Sequence, residues 1–113
     1  MNNRGMIPAG ELRHRIEIQR PSKDRNSRGQ HDGTWELVDF AWARIKTLSG
    51  TEQERARQQV GTATHEVKLR TPRNFDLNKK HRLVFRGRIF NVGFVDDVDE
   101  LNSVSVCLVS EKT

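Results

Sequence analysis

The stretch from Leu12 to Arg20 alternates strictly: Leu12, His14, Ile16 and Ile18 fall on one side, Arg13, Arg15, Glu17 and Gln19 on the other. A period of two commits a segment to a half-buried strand, because successive side chains point to opposite faces of a sheet. Pro21 ends the ladder, since proline has no N–H to donate. The polar run that follows, SKDRNSRGQHDG, carries Lys23, Arg25 and Arg28 and no large apolar residue. It cannot contribute to a core, so it is expected to project toward solvent or a partner. A loop as long as Pro21–Gly33 exceeds most connections in compact domains, and such loops are usually functional or disordered.

Thr34–Leu48 reads as one long strand, or two strands joined at a bulge. Trp35 and Leu37 share a face, as do Ala41, Ala43 and Ile45, but Phe40 and Trp42 have the opposite parity to both. One inserted residue near Asp39 brings these sets into line, which is what a bulge supplies. Thr51–Val60 is a helix of good helix formers, capped by Ser49 or Thr51, with Glu52 and Glu54 favourable in the first turn. Only Ala56 and Val60 are apolar, so it is marginal alone and is expected to dock, either on a neighbouring subunit or over one barrel end. Thr62–Arg70 alternates again; Arg82–Phe85 and Arg88–Val95 flank the tight turn Arg86-Gly87. Asn102–Val109 closes the series with Val104, Val106 and Leu108 on one face. The expected fold is mainly β: a small antiparallel barrel of about six strands, which removes sheet edges, with one short helix and a long loop after the first strand. Residues 1–11 read as an N-terminal arm, 12–110 as the single domain and 111–113 as a tail.

With 113 residues the length prior gives one domain. Apolar residues make up 34% and charged residues 31%, with a mean hydropathy of −0.79. Those values suit a small subunit that completes its burial in an assembly, and equally a soluble domain with long polar loops. No apolar core follows the lone arginine of MNNRGMIPAG, so no secretory signal is expected, and no run approaches the length of a membrane span. The one cysteine, Cys107, rules out an internal disulfide, fits a reducing compartment and is expected to be inert packing.

Chemistry finds little support. His14, His31, His65 and His81 are scattered outside any zinc spacing, and His14 and His65 are expected in core or barrel-end positions. Asp96-Asp97-Val98-Asp99-Glu100 misses the calcium-loop spacing and reads as a solvated turn. No phosphate loop, nucleophile elbow or dinucleotide fingerprint is present. No catalytic residue, cofactor or metal is therefore expected. Nucleic acid could meet the basic residues through its backbone, but Tyr is absent and no stacking platform is evident.

Charge is polarised along the chain. From Lys68 to Arg88 there are eight basic residues against the single acid Asp76, and from Asp96 onward five acids against Lys112. Such a molecule can bind nucleic acid or pair head-to-tail with its own copies. The candidate interface comprises Glu52, Glu54, Arg55 and Arg57 of the helix, Lys79, Lys80, Arg82, Arg86 and Arg88 of the basic flank, and Asp96, Asp97, Asp99 and Glu100 of the acidic turn.

Gly10-x-Leu12-Arg13-His14-Arg15-Ile16, Ile18-Gln19-x-Pro21, Gly33-Thr34-Trp35, Trp42-Ala43-x-Ile45 and Ser49-Gly50-x-Glu52 form an ordered set. Thr64-His65-x-Val67-x-Leu69-Arg70, Arg82-Leu83 and Gly87-Arg88-x-Phe90 continue it. Over residues 10–109 the set resembles the tailed-phage head–tail joining proteins, also called head closure or head–tail adaptor proteins. The resemblance implies a structural virion protein at the head–tail interface, assembled in the host cytoplasm. It implies a barrel subunit whose ring lies beneath the portal and its adaptor, closes the DNA-filled head and docks the tail. The implied partners are portal or adaptor proteins, tail proteins and sister copies, with a monomer possible in isolation and no membrane or small-molecule substrate. The loop Pro21–Gly33, with Lys23, Arg25 and Arg28, would face the channel, the DNA or a neighbouring ring. The chain departs from the family at Asp96–Glu100, where members often carry arginines. A tail-side completion protein of the same virion and a stand-alone oligonucleotide-binding barrel are the alternative readings.

Overall fold

The computed structural model describes residues 9–22, 33–97 and 103–112. Among them run β1 (His14–Pro21), β2 (Trp35–Thr47), α1 (Gly50–Ala56), β3 (His65–Arg70), β4 (Arg82–Phe85), β5 (Arg88–Asp97) and β6 (Val104–Glu111). The six strands close into an antiparallel barrel in the order β1-β2-β3-β6-β5-β4. Every strand thus has two hydrogen-bonded neighbours, although the first half of β2 pairs with β1 alone and the second half of β5 with β6 alone. The mainly β barrel with one short helix is the architecture that the alternating pattern called for. Of the expected N-terminal arm, Ala9–Glu11 forms a 3₁₀ turn.

The barrel interior is filled by Ile16 and Ile18 of β1, Ala43 of β2, Val67 and Leu69 of β3, Leu83 of β4, Phe90 and Val92 of β5, and Cys107 and Val109 of β6. Removing each large aliphatic side chain from water is worth about 1.5–3 kcal/mol. On β6 the inward set is Ser105, Cys107 and Val109, so Val104, Val106 and Leu108 face outward. Their apolar character is used elsewhere: Leu12 covers Val104, and Leu108 packs beneath the α1 region.

Two bulges set which residues face out. Ile18 pairs with Asp39 but Gln19 pairs with Leu37, leaving Val38 as the extra residue beside the position where the sequence required one. The insertion aligns Leu37 with Phe40 and Trp42 on the outer face, while Ala43 is buried and Val38, Ala41 and Ile45 pack against the core. In β5, Val92 and Phe94 pair with consecutive residues of β6, Val109 and Leu108, so Gly93 is inserted. A side chain there would collide with Val60, 2.7 Å from its Cγ1.

The β4–β5 turn places both Arg86 (φ 50°) and Gly87 (φ 81°) in the left-handed region. Positive φ at both central residues is the type I′ signature, whose twist matches the flanking strands. Helix α1 begins where expected. The Ser49 hydroxyl accepts from the Glu52 N–H and the Glu52 carboxylate accepts from the Ser49 N–H, a complete capping box. It ends at Ala56, four residues short of the sequence expectation. Gln58 and Gln59 donate to carbonyls three residues back, tightening the chain into a turn that brings Val60 toward β5. Ala56 and Val60 pack with Leu48, Ala63 and Leu108, so the helix docks on its own barrel.

Candidate interaction surfaces

Antiparallel closure sends alternate strand termini to opposite ends of the barrel. One end, the loop end, holds the ends of β1, β3 and β5, the starts of β2, β4 and β6 and the β3–β4 connection; the other, the helix end, holds α1, the Arg86-Gly87 hairpin, the start of β1 and the end of β6. The loop end is closed at its base by Ser22 N–H donating to the Thr34 carbonyl at 2.9 Å. There Arg82 stacks over Trp35 at 4.2 Å and donates to Gln19 at 2.8 Å. Its partial burial lowers the guanidinium pKa. Lys23, Arg25 and Arg28 lie outside the described residues.

This arrangement divides the basic flank. Arg70, Arg73, Lys79, Lys80 and Arg82 belong to the loop end, together with Asp96 and Asp97, whereas Arg86 and Arg88 sit at the helix end. The sequence order of charge therefore does not become two opposite poles along the barrel axis. Several candidate interface residues are also engaged within the chain. Arg88 grips Glu111 with two bonds, at 2.9 and 3.0 Å, and lies over Phe90. The Arg88 bond holds the Glu111 carboxyl below the usual range. Glu52 accepts from Lys46 at 2.7 Å, and that bond with the capping contacts lowers its pKa to about 2. Glu54 and Arg57 form a loose exposed pair at 3.7 Å, and Asp97 accepts from the Ser105 hydroxyl at 2.9 Å. Arg86 lies over Phe85. Arg55, Lys79, Lys80 and Asp96 are exposed and outside any ion pair among the described residues; Asp99 and Glu100 lie outside those residues.

The residue set that charge reasoning missed is apolar. Leu37, Phe40 and Trp42 stand 48%, 45% and 50% exposed in one row on the outside of β2. Arg15, paired with Trp42 across the ladder, lies over both rings, 5.0 Å from Phe40 and 5.5 Å from Trp42. On the other side Arg70 and Pro72 border a groove of about 250 Å³ that also touches Ile18, Asp39, Phe40 and Trp42. The sequence carried the signal: Phe40 and Trp42 could not share parity with Ala41 and Ala43, so they had to face the other way. Nearby, Glu11 bridges Arg44 at 3.1 Å and Lys68 at 3.0 Å, and the Lys68 bond leads in lowering its pKa.

Burial shifts the titratable groups of the interior. It pushes the Cys107 thiol up to about 12, well above the ordinary thiol range. His65 packs edge-on against Phe90 and bonds Thr64, and burial leads in lowering its pKa; His81, also lowered by burial, bonds the Asn78 N–H beside Phe75. His14 meets Phe85 edge-on at 5.0 Å. Among the described residues no group of three or more His, Cys, Asp or Glu could hold a metal ion, and no helix is long and apolar enough to cross a membrane.

The solution structure of protein SF1141 from Shigella flexneri 2a superposes with a TM-score of 0.73 at 23% identity, over 95% of this chain and 98% of that one. A chain from the virion of a native gene transfer agent particle superposes with a TM-score of 0.62 at 21% identity, over 87% and 92%. At those identities the likeness concerns the fold. Among curated proteins nothing matches the chain. The family model for phage head completion proteins matches residues 7–112, nearly the whole length, and on that match the chain belongs to the phage head completion protein family.

Proposed function

We propose that this protein is a structural subunit of the phage head–tail connector, forming a ring that closes the DNA-filled head below the portal or its adaptor and docks the tail. The observation that carries the reading is the family match across residues 7–112. The structure is compatible with it: the closed barrel buries a core drawn from all six strands, and its outer wall keeps an apolar row. In this reading Lys23, Arg25 and Arg28 face the channel and contact packaged DNA through its phosphates, without reading bases.

The test is a deletion of the gene in the phage that carries it, with the protein supplied in trans. Without the protein, filled heads should leak DNA and fail to join tails, and supplying it should restore infectious particles. Sealed, infectious particles in its absence would end the proposal. Replacing Lys23, Arg25 and Arg28 together with Ala should cause DNA loss from otherwise complete heads; unchanged retention would remove those residues from the channel role.

A further inference from the structure

We propose that the outer row Leu37, Phe40 and Trp42 is the centre of a contact with a second copy of this chain, seated against the Phe94–Asp96 wall of that copy. The inference rests on the connector reading above and names the surface through which sister copies meet.

The row is contiguous. Each of its residues pairs with β1, Leu37 with Gln19, Phe40 with Glu17 and Trp42 with Arg15, and the Val38 bulge brings Leu37 into the same file as the two rings. Each aromatic side chain can bury about 150–250 Å², and here each leaves about half of that open. An apolar centre with an arginine at its rim is the composition of an energetically dominant interface patch. Arg15 is already held over both rings, and among the described residues neither it nor Arg70 finds a carboxylate within ion-pair distance.

The complementary surface is on the far wall. Strand β5 lies three places from β2 either way around the six-strand barrel. Its outer face presents the half-buried Phe94 and the exposed Asp96, next to Val106 of β6. An apolar–acidic patch therefore stands opposite an apolar–basic one. Contacts between different patches are heterologous, and the connector ring is the arrangement in which the rotation from copy to copy closes. A single nucleic-acid strand is the other occupant that exposed aromatics suggest, but Arg15 already covers ring faces on which a base would stack.

The test uses the full chain in assembled particles. Phe40→Cys and Asp96→Cys, both at exposed positions, are combined and treated with a short bismaleimide; the buried Cys107 does not compete. A ladder of covalent multimers is expected from the double variant, and not from either single one. Trp42→Ser in that background should reduce the ladder on the order of tenfold or more. If the pair lowers the unfolding midpoint, the two cysteines are placed on separate co-expressed copies, and a dimer band takes the place of the ladder. Multimers from Phe40→Cys alone would mean a two-fold contact and overturn the proposal. So would normal incorporation without multimers, or protection of the thiol introduced by Phe40→Cys when single-stranded oligonucleotide is added. In those cases the connector reading stands, whereas failure of the unaltered protein to enter particles would overturn that reading itself.

Discussion

Gly93→Ala tests whether the turn after α1 is seated on the barrel as described. A Cβ at Gly93 would lie 2.7 Å from Val60 Cγ1 and 3.2 Å from Val60 Cβ, with the Leu108 carbonyl oxygen at 3.4 Å. Val60 is stiff at χ1 and is packed with Leu48, Ala56, Ala63 and Leu108, so it cannot retreat without disturbing that cluster. Overpacking of this kind costs about 1–3 kcal/mol. Against it, alanine restricts the unfolded chain and returns about 0.4–1 kcal/mol where the backbone permits it. The backbone does permit it, because Gly33 and Gly87 are the glycines with positive φ among the described residues. The net expectation is a loss of about 1–2 kcal/mol. Val60→Ala alone should cost about 1 kcal/mol for two half-buried methyl groups. In that background the 2.7 Å contact is gone and the Cβ at 3.2 Å remains, so Gly93→Ala should cost clearly less than in the wild type. Urea midpoints of the four proteins, at matched m values, measure the cycle. An equal cost of Gly93→Ala in both backgrounds would refute the seating of Val60 on β5.

Gly87→Ala offers a contrast: nothing lies within 4 Å of its added Cβ, yet its φ of 81° should still cost about 1–2 kcal/mol in the same assay. Cys107, with its thiol pushed up to about 12 inside the barrel wall, should resist a disulfide reagent at pH 8 and react only as the barrel opens; immediate labelling in native buffer would contradict its burial. The Glu52 carboxyl is lowered from 4.5 to about 2 by Lys46 and the capping bonds, so its stabilising effect is present above pH 4.5 and is lost as pH falls toward 2. Wild-type midpoints should therefore drop more steeply across that window than those of Glu52→Gln, and parallel curves would remove the capping box as the cause.

The barrel was legible because period-two alternation is a local consequence of pleat and burial. It showed in β1, where Ile16 and Ile18 are nearly solvent-free, and in β3, where Val67 and Leu69 are. The bulge was legible too, from the parity conflict around Asp39. What stayed hidden was which side of an apolar face is the inside. On β6 the more apolar file, Val104, Val106 and Leu108, faces outward, because Leu12 and the α1 region cover its two ends. No local pattern reveals that cover, since it comes from residues far along the chain. The spatial order of charge was hidden for a related reason: the Lys68–Arg88 run is contiguous in sequence, but an antiparallel strand and a hairpin carry it from one barrel end to the other.

The β2 row stands apart from these covered positions. A closed six-strand barrel has an outer wall, and any large apolar residue there must be covered by its own chain, covered by another, or left in water. Leu12 covers Val104 and Val60 covers part of β5 and β6, so this chain covers outer positions where it has segments to do so. Single exposed apolar side chains are ordinary in soluble proteins, but a contiguous file that includes tryptophan is not. A chain with only 34% apolar residues has few to place outside its core. Holding Leu37, Phe40 and Trp42 in one file requires the Val38 insertion, since without it Leu37 would turn toward the interior. The bulge sets Val38 against the core and Leu37 on the outer wall, so one inserted residue keeps an apolar side chain inside while it extends the apolar file outside, which is the surface that the proposed contact between copies would cover.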